Sequence, residues 1–251
     1  MARMPETICF VDACYVSPDR RARAARKLAG KPVLEWIVRA ATEAQRISGV
    51  VVVTSEDPEN DFVNRLVPPD IPVHRGPGNR PLDCFVSALD RFQPEAAVRL
   101  LGVCPFVDST FLDLLVGAAE RCREVDYVAY CDHTGRPAIL SSPGPWIEWY
   151  RAVSLSRLVR RLQPQVPEDP TEFVLRYKTS FRMHLIPCPK ELEAESLPLA
   201  LESDEDWEFT EMVFEFLGPD ACNLRRVMHL LGVRTSSPST KHSHVARPSA
   251  G

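Results

Sequence analysis

The strongest constraint on this chain is a rhythm in its first half, where short apolar runs alternate with stretches of helical period. Residues 8–13, 50–54, 72–74, 97–101 and 127–130 read as buried strands, being short, apolar and mostly β-rich. Between them, Gly30-Lys31-Pro32 opens a helix with Val33, Leu34, Ile37, Val38 and Ala41 on one face. Residues 61–66 read as a short helix and 82–92 as a longer one. Another runs over 110–122, with Phe111, Leu114, Leu115 and Ala118 expected on its inner face. Strands alternating with helices imply right-handed crossovers and a mostly parallel sheet with helices on both sides, a three-layer α/β/α class.

The pattern then loosens. Residues 137–149 read as loop or hairpin, 155–162 as a short basic helix and 163–170 as a proline-rich loop. An alternating run at 181–186 reads as a strand, and 199–201 as a further short one. Residues 204–217 form a helix, with Ser203 as N-cap and Asp204, Glu205 and Asp206 at the positive end of its dipole. A last helix follows at 223–231. The expected organisation is one domain over 1–231 with an irregular insertion at 137–162, then a Ser- and Pro-rich tail from 232 to 251, expected to be disordered.

Composition removes several classes. A net charge of −4 gives no broad footprint for nucleic acid. The start of the chain is too short and too charged for a signal peptide or a membrane span, so a cytoplasmic location is expected. None of the eight cysteines forms a C-x-x-C pair, and reduced, buried thiols are expected rather than a zinc site.

Several segments, in order, resemble one family. They are Gly30-Lys31-Pro32-Val33-Leu34-Glu35, Val51-Val52-Val53-Thr54-Ser55-Glu56-Asp57, Val73-His74-Arg75-Gly76, the run from Arg99 through Gly102-Val103-Cys104-Pro105 to Asp108, and Ala200-Leu201-Glu202-Ser203-Asp204-Glu205-Asp206. The chain from about residue 8 to about 217 is similar to the cytidylyltransferases of surface-polysaccharide biosynthesis, the spore-coat-polysaccharide type, related to synthetases of CMP-activated sugar acids. The resemblance implies a Rossmann-like nucleotide-diphospho-sugar transferase fold. It also implies attack of a sugar or sugar-acid hydroxyl on the α-phosphate of CTP, with release of pyrophosphate. Mg²⁺ would be the cofactor if the protein is active, with none otherwise. Related synthetases pair through an insertion like 137–162, so a homodimer contact is expected there.

Such chemistry needs positioning and charge neutralisation more than covalent help. The family's loop Q-A-R-M-G-S-T-R-L-P-G-K aligns without gaps from Asp12 to Arg23. Ala13 and Ser17 match, and Arg23 replaces the lysine. The family's two arginines fall on Cys14 and Asp19, and its first glycine on Val16. Arg20, Arg21, Arg23, Arg26 and Lys27 read either as a rebuilt phosphate clamp or as a solvated basic turn. Thr54 and Ser55 could bond a nucleotide or cap the turn after their strand. Arg75 and Arg99, both matched, could meet substrate or form structural ion pairs.

The family's metal-binding aspartate in G-D-C-P is Val103 here, which cannot ligate. Its second aspartate is Glu202. Asp12 is a further metal candidate, or else a turn residue. Asp108 reads as a helix cap, and His133, His184 and His229 as structural. Asp204 and Asp206 form a D-x-D pair found in some glycosyltransferases, here at a helix start that favours acids anyway. Two functions stand side by side: an active nucleotidyltransferase with a remodelled clamp, and a catalytically silent paralogue that binds nucleotide or sugar.

Overall fold

Thr7–Asp12 forms β1, the strand on which the site is built. In the computed structural model, which describes residues 6–122, 124–140, 147–189 and 200–231, β1 is hydrogen-bonded on both sides. One neighbour is β4 (Gly49–Ser55) and the other β6 (Ala96–Leu101), both parallel to it. With both edges paired and both faces covered, β1 reads as a continuous apolar run, as parallel strands do. Beyond β4 lies β5 (Val73–Gly76). Beyond β6 come β8 (Glu148–Arg151), β7 (Tyr127–Cys131) and β9 (Met183–Pro187), giving the order β5-β4-β1-β6-β8-β7-β9. All neighbouring pairs are parallel except those made by β8, which runs against both of its neighbours. The fold is the expected Rossmann-like α/β type.

Alternation along β1 assigns the two faces. Cys9 and Val11 point into a core shared with α2 (Val33–Thr42) and α4 (Ser109–Arg121). Ile8 and Phe10 point into a second core shared with α3 (Pro81–Phe92) and α5 (Ala152–Leu162). In α2 the buried side includes Leu34 and Ile37, each contributing about 1.5–3 kcal/mol of burial. A two-strand hairpin of β2 (Lys27–Leu28) and β3 (Lys31–Pro32) precedes α2. Its turn residues Ala29 and Gly30 have φ of 46° and 82°, the left-handed pair a tight hairpin requires. Gly30 therefore turns the chain, and the helix begins at Val33.

Several expectations need correction. The stripe on α4 is shifted: Leu114 is exposed, while Leu112, Leu115, Val116, Ala118 and Ala119 are buried. Residues 148 and 149, expected in a loop or hairpin, belong to a strand inside the sheet, and the helix expected over 155–162 begins at 152 and packs on α3. The proline-rich stretch ends by opening α6 (Pro170–Arg176), capped by Asp169. Ala200 and Leu201 form no strand; Leu201 N–H makes one bond, to Val103 O at 2.9 Å. Residue 199, and the tail expected from 232, lie outside the described residues. The remaining helices are α1 (Pro18–Ala24), α7 (Asp204–Leu217) and α8 (Leu224–Leu230). Among the described residues, no helix is long and apolar enough to cross a membrane.

Candidate functional site

The chain leaves β1 toward β4 and β5 on one side and returns through β6 to the other. The connections leaving the carboxyl ends of β1 and β6 therefore part to opposite sides, and a crevice opens there, where open α/β sheets bind ligands. A cavity of about 280 Å³ lies there. Its walls include Asp12, Cys14, Tyr15, Val16 and Arg20 from the first loop and Arg99, Gly102 and Val103 from β6 and its exit. Asp169, Thr171 and Glu202 close it from later in the chain.

The first loop is pinned rather than open. Ala13 N–H donates to Val53 O at 2.7 Å, and Cys14 N–H to Asp12 Oδ1 at 3.1 Å. Tyr15 turns its ring into the core and donates its hydroxyl to Gly102 O at 3.0 Å. Gly102 N–H in turn donates to Asp12 O at 2.8 Å. A Cβ on residue 102 would stand 2.7 Å from Asp12 O and 2.9 Å from the Tyr15 hydroxyl, so only glycine fits this crossing. Ser17 Oγ caps α1, accepting Arg20 N–H at 3.3 Å.

Arg99 stands on β6 with its guanidinium almost wholly buried, at 3% exposure. It donates to Asp12 Oδ2 through Nε (3.0 Å) and Nη2 (2.7 Å), and to Asp169 Oδ2 through Nη2 (2.7 Å). Nη1 reaches Glu148 Oε2 at 3.2 Å and Thr171 Oγ1 at 3.1 Å. Glu148 is fully buried and also accepts from the Tyr127 hydroxyl at 2.6 Å and from Thr171 Oγ1 at 2.8 Å. Burial alone would lower the Arg99 pKa, but the carboxylates of Asp169 and Asp12 raise it well above its ordinary value. Burial would likewise raise the Asp169 carboxyl, yet the Arg99 charge and the backbone N–H groups of Glu172 and Thr171 hold it below the usual range.

Arg20 is held differently. Its Nη2 meets Glu202 Oε1 at 3.0 Å and Oε2 at 3.3 Å, with both side chains substantially exposed. The neighbouring cations are turned to other work. Arg21 donates to Tyr15 O at 2.9 Å and pairs with Glu59. Arg23 donates through Nε to Leu201 O at 3.1 Å. Arg26 pairs with Asp204 at 3.3 Å and lies over the Trp207 ring, 3.9 Å from its centroid.

Of the residues singled out from sequence, Asp12, Arg20, Arg99, Val103 and Glu202 line the one cavity. Ala13, Ser17, Arg21, Arg23, Thr54, Ser55 and Arg75 do not. Thr54 donates to Ala13 O at 2.9 Å, Ser55 accepts from Asn60 Nδ2 at 2.8 Å, and Arg75 pairs with Asp61 at 2.6 Å. Asp206 closes a capping box with Ser203, so neither acid of the D-x-D pair is free of a structural partner. Asp108 Oδ1 caps α4, accepting Thr110 N–H at 2.8 Å. Sequence reading missed Asp169, Thr171 and Glu148. The signal for the first two was present: Asp169-Pro170-Thr171-Glu172 is an N-cap, a proline at the first helical position and an acid in the first turn.

This geometry has relatives. The Bacillus subtilis spore coat polysaccharide biosynthesis protein SpsF is 23% identical over 220 residues, covering 86% of this chain and 89% of that protein. A cytidylyltransferase from Leptospira borgpetersenii superposes with a TM-score of 0.70 at 18% identity, over 92% of this chain and 97% of that one. A CMP:2-keto-3-deoxy-manno-octonic acid synthetase solved with CTP gives 0.62 at 11% identity, over 84% and 99%. Residues 19–179, more than half of the sequence, match the MobA-like NTP transferase domain. This chain belongs to the MobA-like NTP transferase domain family.

Proposed function

We propose that the cavity between β1 and β6 binds a nucleoside triphosphate, CTP by preference, and that the chain acts in cytidylyl transfer to a sugar or sugar acid in surface-polysaccharide or glycan biosynthesis. The observation that carries this reading is the cavity's position at the reversal of strand order, with a solvent-exposed guanidinium, Arg20, on its wall. The likeness to cytidylyltransferases supports the choice of base, and the likeness to a sugar-acid synthetase supports the acceptor class. In this reading the first loop and Arg20 face the phosphates, the acceptor hydroxyl attacks the α-phosphate, and pyrophosphate leaves toward Arg20.

The residues present do not fit a resident divalent ion. Val103 offers methyl groups where a carboxylate would be needed, and Asp12 and Glu202 are each bonded to a guanidinium. Among the described residues no three His, Cys, Asp or Glu side chains gather as a metal site. That observation favours a second reading, a silent paralogue that binds nucleotide without turning it over. Calorimetric titration of CTP, UTP, ATP and GTP, each with Mg²⁺ and with chelator, tests the binding. A pyrophosphate-release assay with CTP and a sugar acid tests the turnover. The primary reading expects CTP to bind most tightly and pyrophosphate to appear. Binding without pyrophosphate release selects the silent reading, and absence of nucleotide binding overturns both.

A further inference from the structure

Among the described residues three carboxylates face the cavity, those of Asp12, Asp169 and Glu202. Asp12 and Asp169 share one buried nitrogen, Arg99 Nη2, at 2.7 Å each. Arg99 is enclosed and multiply bonded, so it cannot leave them for a ligand. Glu202 differs: its only side-chain partner among the described residues is Arg20, and the pair is open to solvent, at 43% exposure for Arg20 and 38% for Glu202. Leu201 N–H bonds to Val103 O at 2.9 Å, and this contact sets Glu202 beside the β6 exit and its apolar valine. Among the described residues, a phosphate entering the cavity therefore finds one exposed guanidinium, that of Arg20, and it is already occupied by a carboxylate.

We infer that Glu202 is a gating counter-ion of Arg20 and not a metal ligand: it competes with the phosphate for Arg20, the one cation open to solvent among the described residues that line the cavity. The inference rests on the nucleotide-binding reading above and adds to it that binding is restrained by the protein's own carboxylate and is indifferent to divalent ions. When the phosphate takes Arg20, Glu202 is left beside a polyanion. Both effects, a lost partner and like-charge repulsion, weaken binding. Removing the charge of Glu202 should then strengthen binding, whereas removing a metal ligand would weaken it. The two roles predict opposite signs.

The experiment is calorimetric titration of the full chain and two variants, Glu202→Gln and Arg20→Ala, with CTP and separately with inorganic pyrophosphate. Each titration is run at fixed ionic strength with Mg²⁺ and with chelator. Both substitutions fall on exposed side chains, so folding is retained and is checked by circular dichroism. The expected result is that Glu202→Gln tightens pyrophosphate binding about two- to fivefold with chelator present, as relief of an exposed charge pair allows. Arg20→Ala should weaken it by at least a similar factor, and wild-type binding should persist without Mg²⁺. Weaker binding by Glu202→Gln, or wild-type binding that needs Mg²⁺, would overturn the inference and make Glu202 a ligand. Binding of pyrophosphate in the expected order without binding of CTP would keep the gate and sink the nucleotide reading. Binding of neither anion would sink both.

Discussion

The two walls of the cavity use the same chemistry to opposite ends. On one side Arg99 is buried among Asp12, Asp169, Glu148 and Thr171, and all of its terminal nitrogens are committed. On the other, Arg20 holds one carboxylate in the open. A buried guanidinium that loses its partners, or partners that lose it, leave charge in a low dielectric, whereas an exposed pair opens at little cost because water replaces each partner. The difference teaches that an ion pair's environment, more than its distance, decides whether it serves as framework or as machinery. The shortest contacts of the two differ by only a few tenths of an ångström, at 2.7 Å and 3.0 Å.

The sharpest way to break this contrast is to remove each arginine and measure stability by urea denaturation. Arg99→Met should cost about 3–5 kcal/mol, because three carboxylates lose their buried counter-charge. Arg20→Ala should stay within about 0.5 kcal/mol. Equal costs would erase the distinction between the walls. A smaller but still clear effect is expected where the two strand ends cross. Gly102→Ala should cost about 1–3 kcal/mol, since the added methyl must displace the Asp12 carbonyl or the Tyr15 hydroxyl. It should also weaken nucleotide binding by shifting the first loop. A wild-type melting temperature in this variant would mean that the crossing is looser than its distances imply.

The smallest effect comes from a third ionic group, which extends the comparison to the far part of the sheet. Asp126, just before β7, is buried, which alone would raise its carboxyl. Hydrogen bonds from Arg182 and Ser154 outweigh this and bring its pKa to about 2. The folded value lies below the unfolded one, so the stabilisation is present above about pH 4 and is lost as pH falls toward 2. Asp126→Asn should therefore cost about 1–2 kcal/mol at pH 7, less than a full conversion of the shift because Arg182 is half-exposed, and almost nothing near pH 2. A cost that stays constant across this range would assign the effect to packing instead.

How much of this was legible in the sequence depends on how far away each residue's reasons lie. Strands β1, β4 and β6 announce themselves because a strand buried on both faces is apolar throughout. Strand β8 does not: Glu148-Trp149-Tyr150-Arg151 carries a charge at each end. The burial of Glu148 makes sense only once Arg99, Tyr127 and Thr171 are brought to it from elsewhere in the chain. At the site, Arg99, Val103 and Glu202 stand out through an ordered resemblance, Asp12 through its place at the end of the first strand and Arg20 through the basic stretch that follows, and the fold brings all five to one cavity. Their partners do not, because nothing local distinguishes Arg20, which reaches Glu202 far along the chain, from Arg21, which pairs with Glu59, or Arg23, which donates to the Leu201 carbonyl. Spacing along a helix gives direction, but what lies in that direction is tertiary information.

One feature near the chain's beginning bears on how the protein is made. Arg20, Arg23 and Arg26 lie on one side of α1 and its exit, and reach Glu202, the Leu201 carbonyl and Asp204 in turn. These partners lie far along the chain, so the contacts close a loop of nearly the whole domain, the kind of long-range pairing that forms late in folding. During synthesis the central strands β1, β4 and β6 can pair while the C-terminal segment is still inside the ribosome. The first loop is then only part-docked: Arg21 has Tyr15 O and Glu59, but Arg20, Arg23 and Arg26 lack these partners until the segment from Leu201 to Asp204 emerges. A nascent chain would hold a finished sheet with an unassembled ligand wall, and release of the segment from Leu201 to Asp204 would complete the site.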